Sequence, residues 1–200
     1  MSKVFNPENQ NKTIDGKIIA ALERIAEAFR VLLWEKAKVI KLSPIQIQIL
    51  IFIKYHSPEF CTVNYLAEEF NMSAPTISDA VRVLIQKKLL KKIPSTKDKR
   101  KVHLHLTHKG EKVILETASF IEPLINSISI LNRFEKETLL SSLLQIIKDL
   151  NSKEIVITQR MCFTCVHLQK ENGKFYCNLL EMNLKLKDLR IDCPEHQPFK

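Results

Sequence analysis

The sequence predicts a mainly α protein with a small β wing and a compact cysteine-rich tail. Three observations carry that expectation. Through most of the first 150 residues, apolar side chains recur every three to four positions, the period of amphipathic helices. Two short helical stretches are joined by Asn71-Met72-Ser73, and Val102-His103-Leu104-His105-Leu106 then alternates with period two, as a half-buried strand does. Of five cysteines, four are gathered beyond residue 160.

Taken in order, residues 1–12 are polar and read as a loose arm. From Thr13 to Lys41 the positions Ile14, Ile18, Leu22, Ile25, Phe29, Leu32/Leu33 and Ile40 mark one long amphipathic helix. Ser43-Pro44 reads as an N-cap and first helical residue, because proline lacks the N–H that would be unpaired there. The isoleucine-rich helix that follows, to about His56, is expected to be buried. Thr62 caps a short helix to about Phe70, with Leu66, Ala67 and Phe70 inward, and Ser73 caps a second with Ile77, Val81, Leu84 and Ile85 inward. Such a pair is a helix-turn-helix, whose second helix is the one that enters a groove. Leu89 to Ile93, the polar tip 94–101 and the strand Val102–Leu106 complete a winged helix. Thr107 opens a helix expected to run to about Ile121 and to end near Pro123. Asn132 with Glu135 forms a capping-box pattern for a last helix to Leu150, with Leu139, Leu140, Leu143, Leu144, Ile146, Ile147 and Leu150 apolar.

Composition narrows the function classes. Hydrophobic content of 45 % and charged content of 26 % are those of a globular protein rather than a disordered one. The longest apolar runs, 18–22 and 49–53, are too short to span a bilayer, and the N-terminus lacks the apolar stretch of a signal peptide. A cytoplasmic protein with no membrane partner is expected. With three glycines, the chain has neither a P-loop nor a dinucleotide fingerprint. The net charge is +9, and between Ser73 and Lys112 eleven Lys/Arg face Asp79, Asp98 and Glu111. One fifth of the chain therefore carries nearly all the excess, which points to a polyanion, and nucleic acid suits it better than a membrane surface.

From Ser43 to Leu115 the sequence resembles the MarR family of winged-helix transcriptional regulators. The resemblance is carried by Leu66-Ala67-Glu68, Ser73-Ala74-Pro75-Thr76-Ile77-Ser78, and Asp98-Lys99-Arg100 leading to Leu104-His105-Leu106-Thr107 and Gly110. The flanking helices 13–41 and 107–150 also fit the family's layout. One departure stands out: the family usually has Gly between the recognition helix and the first wing strand, where this chain has Leu89. The resemblance implies a homodimer held by terminal helices, with two lobes on a pseudo-palindromic double-stranded DNA operator. The leucines and isoleucines of the first and last helices support it independently, because they exceed what one small lobe needs.

The residues expected to meet DNA follow. On the helix from Ser73, the outward face carries Thr76, Ser78, Asp79 and Arg82. Short hydroxyl side chains allow close approach, Arg82 can pair with guanine O6/N7, and Ser73 with the helix N-terminus can meet a phosphate. Asp79 either accepts from cytosine N4 or holds Arg82. At the wing tip Lys97, Lys99, Arg100 and Lys101 are basic; by the resemblance Arg100 enters the minor groove and Asp98 orients it. His103 and His105 share the outward strand face and are expected to be bystanders.

The tail carries Cys162-x2-Cys165, then Cys177 and Cys193. In a reducing compartment this clustering points to a metal site, with a Cys-x-x-Cys knuckle presenting two thiolates and two later cysteines completing four ligands. Asn172-Gly173 is a hairpin turn that returns Cys177 to the knuckle. About forty residues bury too little surface to fold firmly alone, so a metal would supply the missing stability. Zn²⁺ is the expected ion; an iron–sulfur cluster, making the tail a redox, oxygen or iron sensor, is the alternative, and Cys193-Pro194 resembles the ending of ferredoxin-type sites. His167 and His196 are nearby substitutes, while the isolated Cys61 reads as a small buried residue.

The expected organisation is a winged-helix DNA-binding and dimerisation domain over 1–150, a linker over 151–160 and a metal-binding module over 161–200. The expected function is sequence-specific transcription regulation, with repression as the expected sense and a small-molecule effector as a candidate partner. A non-specific architectural or partner-docking winged-helix protein is the rival. An enzyme is not expected: no nucleophile–base signature appears, and the His/Cys-x-Glu segment of a zinc deaminase is absent.

Overall fold

The computed structural model describes residues 6–95, 98, 101–156, 160–171 and 173–199. A four-residue helix α1 (Pro7–Gln10) leads into the 27-residue α2 (Ile14–Ile40), followed by α3 (Pro44–Tyr55) and a 3-10 turn at Pro58–Phe60. The helix-turn-helix is α4 (Val63–Glu69) and α5 (Ala74–Gln86), and the wing is β1 (Leu90–Pro94) with β2 (Val102–Leu106). Helices α6 (His108–Thr117), α7 (Glu122–Ser129) and α8 (Arg133–Ser152) precede a second antiparallel sheet of β3 (Leu168–Glu171), β4 (Lys174–Cys177) and β5 (Met182–Leu184).

Helix ends fall where the capping chemistry places them. The Thr13, Thr62 and Ser73 hydroxyls each accept an N–H from the first turn that follows, which satisfies donors a helix start otherwise leaves open. Ser43 with Gln46 and Asn132 with Glu135 form reciprocal capping boxes. At the C-terminal end of α2, Lys41 adopts φ 54°, and the N–H of Leu42 reaches the Ala37 carbonyl, a left-handed closure of the helix. The end of α5 is closed in the same way by Lys88 at φ 60°, with the Leu89 N–H on the Leu84 carbonyl. The left-handed position is thus taken by a lysine without a glycine, and Leu89 goes inward at 3 % exposure.

The core is centred on α3, whose Ile47, Ile49, Leu50, Phe52 and Ile53 are buried. Leu33 and Ala37 of α2, Leu66 and Ala67 of α4, and Ile77, Val81 and Leu84 of α5 close around it, with Leu90, Leu104 and Ile114 beneath the wing. The wing is registered by Leu90 opposite Leu106 and Lys92 opposite Leu104, and the Leu104 N–H is held by the Cys61 carbonyl at 2.8 Å. Gly110 packs against the backbone that joins α5 to β1: a Cβ there would overlap the Leu89 carbonyl oxygen, so the start of α6 needs glycine.

Two expectations are corrected. Pro123 does not end the helix from Thr107; α6 stops at Thr117, a 3-10 turn covers Ala118–Ile121, and Pro123 opens α7 from its first turn, where its missing N–H costs nothing. Of the apolar residues of α8, Leu144 alone is buried, and Leu139 and Ile146 are exposed. His103 and His105 do not stand free on the wing; both are half-buried, and Nδ1 of His103 is enclosed without a hydrogen-bond partner.

Candidate nucleic-acid interface and cysteine site

Helix α5 has two unlike faces. Ile77, Ala80, Val81 and Leu84 are buried against the core, whereas Thr76, Ser78, Asp79 and Arg82 are exposed. Alternation at three and four residues produces this division. At the N-terminus, Ser73 Oγ accepts the Thr76 N–H at 3.3 Å and shares a hydrogen bond with Thr76 Oγ1 at 2.7 Å. Arg82 Nη2 donates to Asp79 Oδ1 at 2.7 Å, and both side chains are mostly exposed. Asp79 therefore holds Arg82 on the outward face.

At the wing, Lys101 is exposed, and Asp98 is half-buried with its N–H on Ser95 Oγ at 3.4 Å. Lys97, Lys99 and Arg100 lie outside the described residues. Further down the strands Lys91 and Lys92 are exposed, and Lys101 donates its N–H to the Asp98 carbonyl at 2.9 Å. His105 is held below the ordinary imidazole range by burial, and then by Lys91 and His103 nearby. It consequently adds little positive charge at neutral pH.

In the tail, Cys162, Cys165, Cys177 and Cys193 line one small cavity together with His167 and Arg190. Cys165 follows a 3-10 turn, Cys177 ends β4 opposite Leu168 and Met182, and Cys193 lies in irregular chain beyond β5. Cys162 and Cys193 are set side by side by two main-chain hydrogen bonds of 2.9 Å, Cys162 N–H to the Arg190 carbonyl and Cys193 N–H to the Arg160 carbonyl. The Arg190 N–H donates to Cys162 Sγ at 3.2 Å, and its guanidinium lies 3.7 Å from Cys193 Sγ. Burial raises the Cys162 thiol, and the other three cysteines add to the rise by repulsion between thiolates. Nε2 of His167 is enclosed without a partner. His196 is engaged instead, with its Nε2 3.0 Å from both oxygens of Thr164. Among the described residues, no three His, Cys, Asp or Glu side chains stand at ready-made metal-ligand spacing. Asn172 of the expected hairpin turn is outside the described residues; its neighbour Gly173 takes φ 76°.

A group that sequence reasoning missed joins the two regions. Arg160 lies at 8 % exposure among His56, Tyr65, Glu69 and Asp192. Its partners in the winged helix are about ninety to a hundred positions away in sequence. No local pattern announces such a contact, and the rings of Phe52, Phe60 and Tyr65 surround the guanidinium.

The MarR family model matches residues 40–101, from the end of α2 through the wing tip. No functionally curated protein matches the sequence. Among solved structures, the fold is similar to that of MepR from S. aureus in its complex with DNA, with TM-score 0.58 at 22 % identity over 66 % of this chain and 96 % of that one. It is also similar to MepR described as a transcription regulator of the Staphylococcus aureus multidrug efflux pump MepA, with TM-score 0.50 at 23 % identity over 66 % and 97 % of the two chains. The chain thus carries a winged helix that is similar to the MarR family model over residues 40–101, and those structures match about two thirds of it. Among the described residues, no single helix is long and apolar enough to cross a membrane.

Proposed function

We propose that this chain is a MarR-family transcription regulator that binds double-stranded DNA sequence-specifically as a homodimer, represses, and holds structural zinc through Cys162, Cys165, Cys177 and Cys193. The observation that carries the DNA reading is the outward face of α5. Thr76, Ser78 and an Arg82 braced by Asp79 project from the second helix of a helix-turn-helix, beside a wing of exposed lysines. A helix so faced fits a major groove, and the wing's charge suits the flanking phosphates.

Homodimerisation is supported by apolar side chains left in solvent on α2 and α7. Ile14, Ile18, Ile25, Trp34 and Val39 of α2 and Ile125 and Ile128 of α7 are all 46 % exposed or more. An apolar surface of that extent, on one long helix and one short one, is what a two-fold interface covers. A cleft of about 610 Å³, lined by Phe60, Tyr65, Lys148, Phe163 and Phe199, is large enough for a small-molecule effector.

Zinc is supported by the donor set. Four thiols and an unpartnered imidazole nitrogen line one cavity, and Arg190 sends N–H groups toward two of the sulfurs. A tetrathiolate zinc site carries excess negative charge, which such N–H···S contacts offset. Bound there, the ion would supply folding stability to a tail with little core.

Two measurements test the proposal. Selection from a random duplex library should recover a pseudo-palindrome with half-sites about 10 base pairs apart; recovery of no common sequence removes specific recognition. Metal analysis of protein purified without air should give zinc and a colourless solution. Iron with sulfide and a brown colour would replace zinc by a cluster, and neither metal would remove the site.

A further inference from the structure

Arg160 is the only buried charged residue among those described. It stands two positions before Cys162, and its carbonyl accepts the Cys193 N–H at 2.9 Å. Its guanidinium donates to Glu69 at 2.6 and 3.3 Å, to the Tyr65 hydroxyl at 2.7 Å, and to both oxygens of Asp192 at 2.6 and 3.0 Å. Asp192, the neighbour of Cys193, also bonds His56 Nε2 at 2.6 Å, and the His56 ring is stacked on Phe52 at 3.7 Å. The guanidinium lies 5.4–5.8 Å from the ring centres of Phe52, Phe60 and Tyr65. Both limbs of the cysteine cavity therefore end on α4 and on the C-terminal turn of α3.

We infer that Arg160 and Asp192 form a clamp through which the four-cysteine site sets the DNA affinity of the helix-turn-helix, so that metal loading and DNA binding are coupled. This rests on the reading of the four cysteines as a zinc site. Among the described tail residues, apolar burial is limited to Met161, Cys165 and Leu189, and a segment with so small a core depends on an ion for its fold. An ion shared by Cys162 and Cys193 fixes the limbs side by side and presents Arg160 and Asp192 as one unit to Glu69, Tyr65 and His56. Loss of the ion lets the limbs part, and the Arg160 fork loses one of its two carboxylates. Glu69 is the last residue of α4, and the turn after it, with Asn71 at φ 49°, leads directly to the Ser73 cap of α5. A change in how α4 is held is thus delivered to the helix that meets DNA. Arg160 and Glu69 act here as positioning residues, since neither lies on the outward face of α5.

The coupling is reciprocal: if zinc tightens DNA binding by some factor, DNA tightens zinc binding by the same factor. The test uses the full chain, zinc-loaded or stripped by a chelator under reducing conditions, and the duplex recovered by library selection. Loaded wild type should bind that duplex about fivefold or more tighter than stripped protein, and the duplex should raise zinc affinity equally. The backbone amides of Val63–Glu69 should exchange more slowly when zinc is bound, a readout that needs no DNA. In Glu69→Gln, zinc binding without DNA should persist while both coupling factors fall toward one. If that variant fails to fold, Tyr65→Phe, which deletes one hydroxyl on the same clamp, is read in the same way and should lower both factors. Stoichiometric zinc binding with unchanged DNA affinity and unchanged α4 exchange would overturn the coupling while leaving the site intact. Full coupling retained in the folded variant would also overturn the role of the clamp. Failure of wild type to bind zinc at all would remove the four-cysteine reading itself, and the inference with it.

Discussion

Arg160 Nη1 and Glu69 Oε2 stand 2.6 Å apart across 91 positions of sequence. Burial alone would make the guanidinium easier to deprotonate, but the hydrogen bonds to Asp192 and Glu69 outweigh it, and the arginine is held more firmly charged than usual. The same contacts, with His56, lower the Asp192 carboxyl against its own burial. Removing one partner of such a group leaves polar atoms unpaired. Arg160→Ala should therefore destabilise the metal-loaded protein by about 2–3 kcal/mol in urea unfolding. Arg160→Lys should recover less than half of that, because an ammonium cannot serve two carboxylates in a planar fork. Equal stability of all three proteins would contradict the clamp.

Arg82 is expected to read a base while Asp79 limits where it points. Arg82→Ala should weaken binding to the selected duplex by about 1–3 kcal/mol and relax preference at one base pair. Asp79→Asn removes a negative charge beside DNA and frees Arg82, so binding to random duplex should tighten while discrimination falls. Anisotropy titrations on both duplexes check the pair; identical losses on selected and random DNA would demote Arg82 to a phosphate contact.

In the proposed complex the wing lysines would act on the backbone of any sequence. Lys97→Ala should flatten the dependence of log affinity on log salt by about one unit, with little change in sequence preference. Arg100→Ala should cost about 1–3 kcal/mol. Unchanged affinity and slope in both variants would take the wing out of the interface.

Cys61 offers a pH test of the core. Burial, and then the charge of Glu59, raise its thiol from 9.0 to about 11. The folded state keeps the proton over a range where the unfolded chain has lost it. The associated stability is complete below about pH 9 and is lost as pH rises through about 11. Urea unfolding of wild type and Cys61→Ala across that range should show a steeper alkaline decline in wild type. Parallel declines would show that Cys61 is not sheltered. At pH 8 native protein should also resist alkylation at Cys61, which is 2 % exposed.

Much of the fold was legible because its signals are local. Thr13, Ser43, Thr62, Ser73 and Asn132 each sit one residue before a helix, and a cap is decided within four residues. Pro123 marks the limit of such locality: proline stops a helix from behind and starts one from in front, and only the 3-10 turn after Thr117 decides between them. The leucines of α8 follow a helical period whether they face a core or solvent, so periodicity alone could not show that just Leu144 is buried. Arg160 was invisible because its environment is assembled from α3, α4 and the segment before Cys193. The α5 face was readable because buried and outward residues share one short helix.

Recognition of sequence by the α5 face is read in one number, the affinity ratio between the selected duplex and a scrambled duplex of the same composition at one fixed salt concentration. That ratio should be about 10³ or more, carried mainly by Thr76, Ser78 and Arg82. A ratio near one would contradict it, and would make the protein a winged helix that binds DNA by charge and shape alone.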